Sequence, residues 1–374
     1  MKKLLESAYK GKKVLVTGHT GFKGSWLALW LHEMGADVTG FALDPRSARD
    51  NFEVTGLSGV IRDIRGDVRD KNLLLKVFEE QAPEIVFHLA AQALVFRSYE
   101  DPLETYASNI MGTAHVLEAI RNTPSVHTGI MITSDKCYEN REILWGYRED
   151  DPMGGHDPYS ASKGSAELII HSHRKSFLEN NGKAIASARA GNVIGGGDWS
   201  PYRLIPDIIR AFEAKQTVEL RNPRATRPWQ HVLQPLGGYL LLGARLLENP
   251  REYAEAWNFG PFPQEVKPVQ VVVEKMIQYM ETGSWKDVSG YQQLHEAHLL
   301  TLDITKAIAK LHWNPVLNLD DSIRMTSQWY KNYRTSDMYD LCKRQIYEYM
   351  EKGEAKDMDR SMARDEKAYK HDSF

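Results

Sequence analysis

Apolar positions between Lys12 and Gly40 form a short run, Val14 to Val16, and then a segment from Ser25 to Met34. There Trp26, Leu27, Leu29, Trp30 and Leu31 recur at near-helical spacing. A glycine-rich turn separates the two, and Val38 to Leu43 follows as a second strand-length run. The alternation continues: Asn72 to Glu80 predicts a helix, Ile85 to His88 a strand, Ser108 to Arg121 a helix and Gly129 to Ser134 a strand. Strands that alternate with helices pair in parallel and need helices on both faces. Beyond a Gly/Pro-rich stretch at Pro152 to Pro158, a long helix is expected from about Tyr159 to Asn180 and a buried strand over Ala184 to Ala190. After Gly195 the regularity fades into turns rich in Gly, Pro and Trp. Helices are expected there near Leu204 to Ala214, Leu233 to Leu247, Val269 to Met280 and Ile304 to Leu311.

Length decides how these pieces divide. One compact domain usually needs roughly 100 to 200 residues, and the chain has 374. The surplus is assigned to a second lobe: residues 11–194 for the parallel sheet, 195–335 for a smaller irregular α/β lobe with strand exchange between the two, and 336–374 for a charged C-terminal tail, whose part from Glu351 to Phe374 is read as a solvated helix or disordered end, with a subunit-contact arm as the alternative. Without an internal repeat or low-complexity linker, the lobes are expected to share an interface. Tryptophans such as Trp26, Trp30, Trp199, Trp229 and Trp313 are expected to pack the core and that interface.

Charge and cysteine usage exclude several function classes. With 47 Lys+Arg against 50 Asp+Glu the net charge is −3, so the basic excess that a nucleic-acid partner requires is missing. Two cysteines, Cys137 and Cys342, are too few for a disulfide scaffold. No apolar run approaches the ~18 residues of a membrane span, and the lysine-rich start lacks the apolar core of a signal peptide. A soluble cytoplasmic protein with no membrane partner is expected.

The first chemical motif lies at the first turn. Val14-Leu15-Val16-Thr17-Gly18-His19-Thr20-Gly21-Phe22-Lys23-Gly24 sets three glycines between a strand and a helix. Such glycines permit a tight turn and let backbone N–H groups and the helix N-terminus approach a pyrophosphate. Asp44 follows Gly24 by 20 residues, at the end of the next strand, where a carboxylate accepts hydrogen bonds from an adenosine ribose. An acid there repels a ribose phosphate, which favours NAD over NADP; Arg46 and Arg49 pull the other way. Asp67 and Val68, after a third strand, are placed near the adenine, with a surface turn as the alternative. The expected fold is therefore Rossmann-type, a doubly wound parallel sheet with a smaller irregular α/β C-terminal substrate lobe.

The second motif is Tyr159-Ser160-Ala161-Ser162-Lys163, a phenol and an ammonium four residues apart on one helical face. A lysine beside a tyrosine is expected to lower the phenol pKa, so that it takes a proton from a sugar hydroxyl as hydride leaves. Ser134, ending the preceding core strand, completes a hydroxyl, phenol and ammonium set.

With these motifs and His88-Leu89-Ala90-Ala91-Gln92, the chain resembles the extended short-chain dehydrogenase/reductase family. The resemblance runs over roughly Gly11 to Tyr330. It implies NAD held by Gly18, Gly21, Phe22, Lys23, Gly24, Asp44, Asp67, Val68, Leu89, Ala90, Ala91, Tyr159 and Lys163. It also implies a nucleotide sugar lying between the two lobes. Thr133-Ser134-Asp135-Lys136-Cys137-Tyr138 looks like the segment that nucleotide-sugar 4,6-dehydratases use for elimination. Relatives acting on dTDP- and GDP-sugars carry a glutamate where this chain has Lys136. That departure, with Ala190 to Trp199 and Arg227 to Val232, is similar to the branch acting on CDP-glucose, in deoxysugar biosynthesis for lipopolysaccharide O-antigen. In the implied chemistry Tyr159 deprotonates the carbon 4 hydroxyl, Lys136 takes the carbon 5 proton and Asp135 protonates the departing carbon 6 hydroxyl. The catalytic set is thus Ser134, Asp135, Lys136, Tyr159 and Lys163.

By their position relative to the family's motifs, Gln92, Arg97, Asn192, Arg203, Leu204, Arg227 and His231 are placed around the sugar and its diphosphate; guanidinium forks suit phosphates, though each arginine taken alone reads equally as a surface salt-bridge partner. A satisfied structural role for His231 is weighed equally. His295-Glu296-Ala297-His298 invites a metal reading, but the histidines are three apart rather than four, and no metal is assigned. A homodimer, or a dimer of dimers, is expected through the helices around Ser108 to Arg121 and Tyr159 to Asn180. Two other functions stay open: a 4-epimerase or net dehydrogenase on the same fold, and a catalytically silent NAD-binding protein. Loss of water from the substrate separates them from a dehydratase.

Overall fold

The structure is a computed structural model that describes residues 1–289 and 299–371, with 357–371 given as helical backbone alone. Its centre is a seven-stranded, wholly parallel sheet in the order β7-β6-β5-β4-β1-β2-β3. The strands are β1 Lys13–Thr17, β2 Asp37–Ala42, β3 Arg62–Arg65, β4 Ile85–His88, β5 Thr128–Ile132, β6 Ala184–Arg189 and β7 Ala256–Asn258. Strands buried on both faces read as unbroken apolar runs, and every residue of β4, β5 and β6 is buried.

Helices cover both faces. On one side α3 (Lys71–Gln81), α4 (Gly112–Asn122) and α5 (Pro158–His173) pack around Leu74, Phe78, Val116, Ile120 and Ile170. The predicted long helix from Tyr159 runs on past His173 through a wide turn at Arg174–Leu178 and a tight one at Glu179–Asn181. On the other side α1 (Lys2–Tyr9), α2 (Phe22–Glu33) and α7 (Leu233–Glu248) share one core with the C-terminal lobe. That lobe adds α6 (Leu204–Glu213), α8 (Val269–Met280), α9 (Leu319–Asn332), α10 (Met338–His371) and three two-stranded sheets. β7, from within 195–335, forms the edge of the main sheet, so the lobes are joined by strand pairing as well as by packing.

The tail reading needs correction. Met338, Leu341, Cys342, Ile346, Tyr349 and Met350 of α10 are buried, and Tyr349 meets the edge of Trp30 with ring centroids 5.5 Å apart. Their i, i+3, i+4 stripe docks on α2, while the charged residues between them face outward and mask it in composition. Only the part of 336–374 beyond Met350 has a charged, largely exposed character, through Lys356. Helix α1 was also not anticipated; its Tyr9 is buried and donates a hydrogen bond to the carbonyl of Leu240 (2.7 Å). Among the described residues no helix is long and apolar enough to cross a membrane. His295 to His298 lie outside the described residues.

Candidate active site

One cavity of about 1700 Å³ runs along the C-terminal ends of the sheet strands and between the lobes. Gly18, Gly21, Phe22, Lys23, Gly24, Asp44, Asp67, Val68, Leu89, Ala90 and Ala91 line one part of it; Ser134, Asp135, Lys136, Tyr159 and Lys163 line the middle; Asn192, Arg203, Leu204 and Arg227 line the far part. Sequence-distant residues meet here because a parallel sheet brings the loops that follow all its strands to one edge.

Glycine is required at the first turn by close approach. A Cβ on Gly24 would lie 2.0 Å from the carbonyl oxygen of Gly18, so helix α2 packs on the turn with nothing between. Helix α2 starts without a side-chain cap, leaving the first-turn N–H groups available to an anion at the cavity wall. The Lys23 ammonium is half-buried beside them; desolvation, reinforced by Arg203, pulls its pKa down to about 8. Open N–H groups, a cation and glycine backbone fit a dinucleotide pyrophosphate. Arg49 is held by Glu213 (2.9 Å) and stacks on Trp199 (3.9 Å to the ring centroid), so it is committed away from a ribose phosphate. Asp44 is 87% exposed, with Arg65 at 3.8 Å.

The reacting groups stand on two elements. Helix α5 opens with Asp157 capping the N–H of Ser160 (2.9 Å) and Pro158 at its first position, which fixes the turn that carries Tyr159. Tyr159 and Lys163 fall on the buried face, with the ammonium 5.9 Å from the ring centroid. The second element is the tight turn Asp135–Cys137 directly after β5, where Ser134 accepts from the N–H of Lys136 (3.2 Å) and donates to Asp135 Oδ1 (2.9 Å). Asp135 is buried, and the turn holds it beside Lys136 on the wall shared with Tyr159.

The electrostatics differ from the sequence expectation. Burial pushes the Tyr159 phenol up to about 12, against a lowering by the neighbouring Ser134 hydroxyl and by Arg203, while Asp135 adds to the rise. Lys163 does not overcome this, because burial drives its own pKa down to about 8. The protein alone therefore keeps the phenol protonated; activating it takes added positive charge in the cavity.

Two substrate assignments, Arg97 and His231, are corrected, and Gln92 keeps its place on the cavity wall with its amide already engaged. Arg97 does not line the cavity; its half-exposed guanidinium pairs with Glu104 (3.0 Å) and Glu100 (3.4 Å) on its own surface. His231 is fully buried against the edge of Trp26 (ring centroids 6.2 Å apart), and burial lowers its pKa to about 3, so it is a neutral packing residue. Gln92 reaches the cavity wall, but its amide donates to the Leu94 carbonyl (3.0 Å) and Thr105 (2.9 Å) and accepts from the Leu94 N–H (2.6 Å), so it shapes its loop. Two residues were missed. Asp198 holds Arg203 at 2.8 Å and raises its pKa. At Gly191, a Cβ would fall 1.8 Å from Asp135 Oδ2, so glycine is what admits the carboxylate. Gly191 precedes Asn192, whose φ of 50° is left-handed; the glycine-rich run around them was the available signal.

Comparison with known proteins places the chain among nucleotide-sugar enzymes. Residues 15–326 match the family model described as GDP-mannose 4,6 dehydratase. The chain is 49% identical over 349 residues to the CDP-glucose 4,6-dehydratase of Salmonella typhimurium, covering 91% of this chain and 97% of that protein. Among solved structures, a dTDP-glucose 4,6-dehydratase from Streptomyces venezuelae with NAD and TYD bound shares the fold at a TM-score of 0.73, with 22% identity over 86% of this chain and 98% of that one. A dTDP-glucose 4,6-dehydratase from Bacillus anthracis in complex with NAD superposes with a TM-score of 0.71 at 20% identity, covering 89% of this chain and 100% of that one.

Proposed function

The chain belongs to the GDP-mannose 4,6-dehydratase family, and from that premise we propose that it is a lyase converting CDP-glucose to CDP-4-keto-6-deoxyglucose with NAD as resident cofactor. The observation that carries the reading is the turn Asp135–Cys137, which sets a carboxyl and an amine on the same cavity wall as Tyr159 and Lys163. A 4-epimerase has no use for that second acid/base pair.

NAD, when bound, supplies a positively charged ring and a reversible hydride store, filled from carbon 4 and emptied at carbon 6, so no net oxidation results. Tyr159 takes the proton of the carbon 4 hydroxyl, with Ser134 hydrogen-bonded to it and Lys163 behind. The resulting 4-keto group acidifies the carbon 5 proton, which Lys136 removes. Asp135 protonates the carbon 6 hydroxyl as it leaves, Lys136 returns a proton to carbon 5 as carbon 6 is reduced, and the proton gained by Tyr159 balances the one given by Asp135, so one water is lost overall. Arg203, held by Asp198, and Arg227 face the part of the cavity suited to the diphosphate.

Incubation with CDP-, dTDP-, GDP- and UDP-glucose tests the assignment. CDP-glucose is expected to lose the mass of one water with no accumulating reduced nicotinamide; no water loss from any of the four overturns it.

We further infer a cytoplasmic homodimer that supplies a 6-deoxysugar for lipopolysaccharide O-antigen. Both thiols are free and buried, which suits a reducing compartment. Leu103, Met111, Leu168 and Phe177 expose apolar side chains on or beside α4 and α5 and their extensions, the surface on which a second copy would seat. Sedimentation as monomer only would remove the dimer, and an unchanged O-antigen sugar content after gene deletion would remove the destination.

A further inference from the structure

The turn carrying Asp135 and Lys136 is fastened at both ends to one buried ion pair. Glu167 lies one helical turn beyond Lys163 on α5, and Arg189 ends β6; their charged groups meet at 2.8 Å with each side chain 4% exposed. Glu167 also accepts from Ser187 Oγ (2.7 Å) and from Thr133 Oγ, the residue just before Ser134. Arg189 donates through Nη1 to Tyr138 Oη (2.6 Å), the residue just after the turn, and to the carbonyl of Glu149 (2.9 Å). Tyr138 Oη in turn donates to Asn258 Oδ1 on β7 (2.7 Å). The acid and the amine of the proposed elimination thus sit on a short span whose first anchor hangs from the anion and whose second hangs from the cation.

We propose that Glu167 and Arg189 are positioning residues for the elimination step, clamping the Thr133 and Tyr138 ends of the turn so that Asp135 and Lys136 hold their places against the sugar. Apolar residues of similar volume would fill this space without the desolvation cost of two buried charges. What they could not do is hold two hydroxyls of one loop in fixed directions. An acid and a base acting on neighbouring carbons tolerate little misplacement, and a shift near 1 Å costs on the order of a hundredfold in rate. Tyr159 is fixed separately by the capped start of α5, while Ser134, which meets its phenol, lies inside the clamped span. The effect should therefore fall more heavily on elimination than on the first oxidation.

This inference rests on the dehydratase reading, and the test separates the two. Thr133→Val and Tyr138→Phe each delete one anchoring hydroxyl and leave the ion pair itself intact. With CDP-glucose and holoenzyme, each variant is expected to lose about tenfold in water release and in solvent deuterium uptake at carbon 5. KM and the single-turnover rate of nicotinamide reduction stay within about twofold, so reduced nicotinamide builds up where the wild type shows none. Thermal midpoints are recorded alongside. Oxidation and elimination falling in parallel with the midpoint would mean a structural role only and overturn the clamp, as would unchanged elimination. Lys136→Met serves as reference: it should stop deuterium uptake while sparing nicotinamide reduction. If it does so and the two hydroxyl variants do not slow elimination, the clamp alone is wrong; if it does not, Lys136 is not the base and the clamp falls with that role, while absence of water loss from CDP-glucose by the wild type is what would defeat the dehydratase reading itself.

Discussion

Gly18, Gly21 and Gly24 bring backbone to one part of the cavity, whereas Asp135, Lys136, Tyr159 and Lys163 bring side chains, most of them buried, to its middle. At the dinucleotide part the chain itself approaches the ligand, and recognition needs little more than the absence of Cβ atoms and the open N–H groups of α2. At the reacting part Asp135, Tyr159 and Lys163 are buried and Lys136 half-buried, and these groups must be held by partners remote in sequence. Rigidity comes from packing in the first case and from polar networks in the second, so the two parts should fail differently when disturbed.

One added methyl at each part tests the contrast. Gly191→Ala places Cβ 1.8 Å from Asp135 Oδ2, and the carboxylate is the group that must yield. Elimination should fall about a hundredfold, with the single-turnover rate of nicotinamide reduction nearly unchanged. Gly24→Ala places Cβ 2.0 Å from the Gly18 carbonyl, and backbone faces it on both sides. Here stability should drop by about 1–3 kcal/mol, read as a lower urea midpoint, with NAD binding weakened before any chemistry. If Gly191→Ala instead loses oxidation and elimination equally, the division between backbone and side-chain construction is wrong.

The same contrast explains what the sequence discloses. Steric demands at the first turn leave glycines at fixed spacing beside a strand and a helix, so the nucleotide end is legible, as are the central strands and the predicted helices, including Ile304 to Leu311, where the chain forms a wide helical turn at Ala307–Leu311. Tyr159 and Lys163 are legible because one helical face relates them. Glu167 and Arg189 were overlooked, since a carboxylate on α5 and an arginine ending an apolar strand become a pair only when β6 lies beside the helix. Arg97 and His231 erred in the opposite sense: residue type suited phosphate and ribose, but local pairing with Glu104 and full burial against Trp26 settle where they sit. Helix α9 escaped notice because its buried face includes Ser322, Thr326 and Ser327, which blunt the apolar period.

The smallest effect expected is on pH, and it isolates the side-chain part, because glycine backbone does not titrate. Burial lowers Lys163 and Lys23 from 10.5 to about 8 in the folded protein. Below pH 8 both states carry the ammonium charges, and the cost of burying them is fully expressed. Between about 8 and 10 the folded state has released protons that the unfolded state still binds, so stability rises with pH. A shift of this size corresponds to roughly 3 kcal/mol per lysine across the full span to the unfolded value. The buried Cys137 and Cys342 thiols, both pushed up, work in the opposite direction from the ordinary thiol range near about 8.5 upward, and Tyr159, pushed up to about 12, does so above the phenol range near about 10. Lysine burial is therefore read as a difference: from about pH 8 to 10 the ligand-free wild type should gain resistance to urea relative to Lys163→Met. Parallel midpoints in the two proteins over this window would show that Lys163 is solvated rather than buried. With the gain present, NAD binding near pH 8 to 9 should take up protons, because the pyrophosphate favours the charged form of a neighbouring lysine; calorimetry in buffers of different ionisation enthalpy reads that uptake directly.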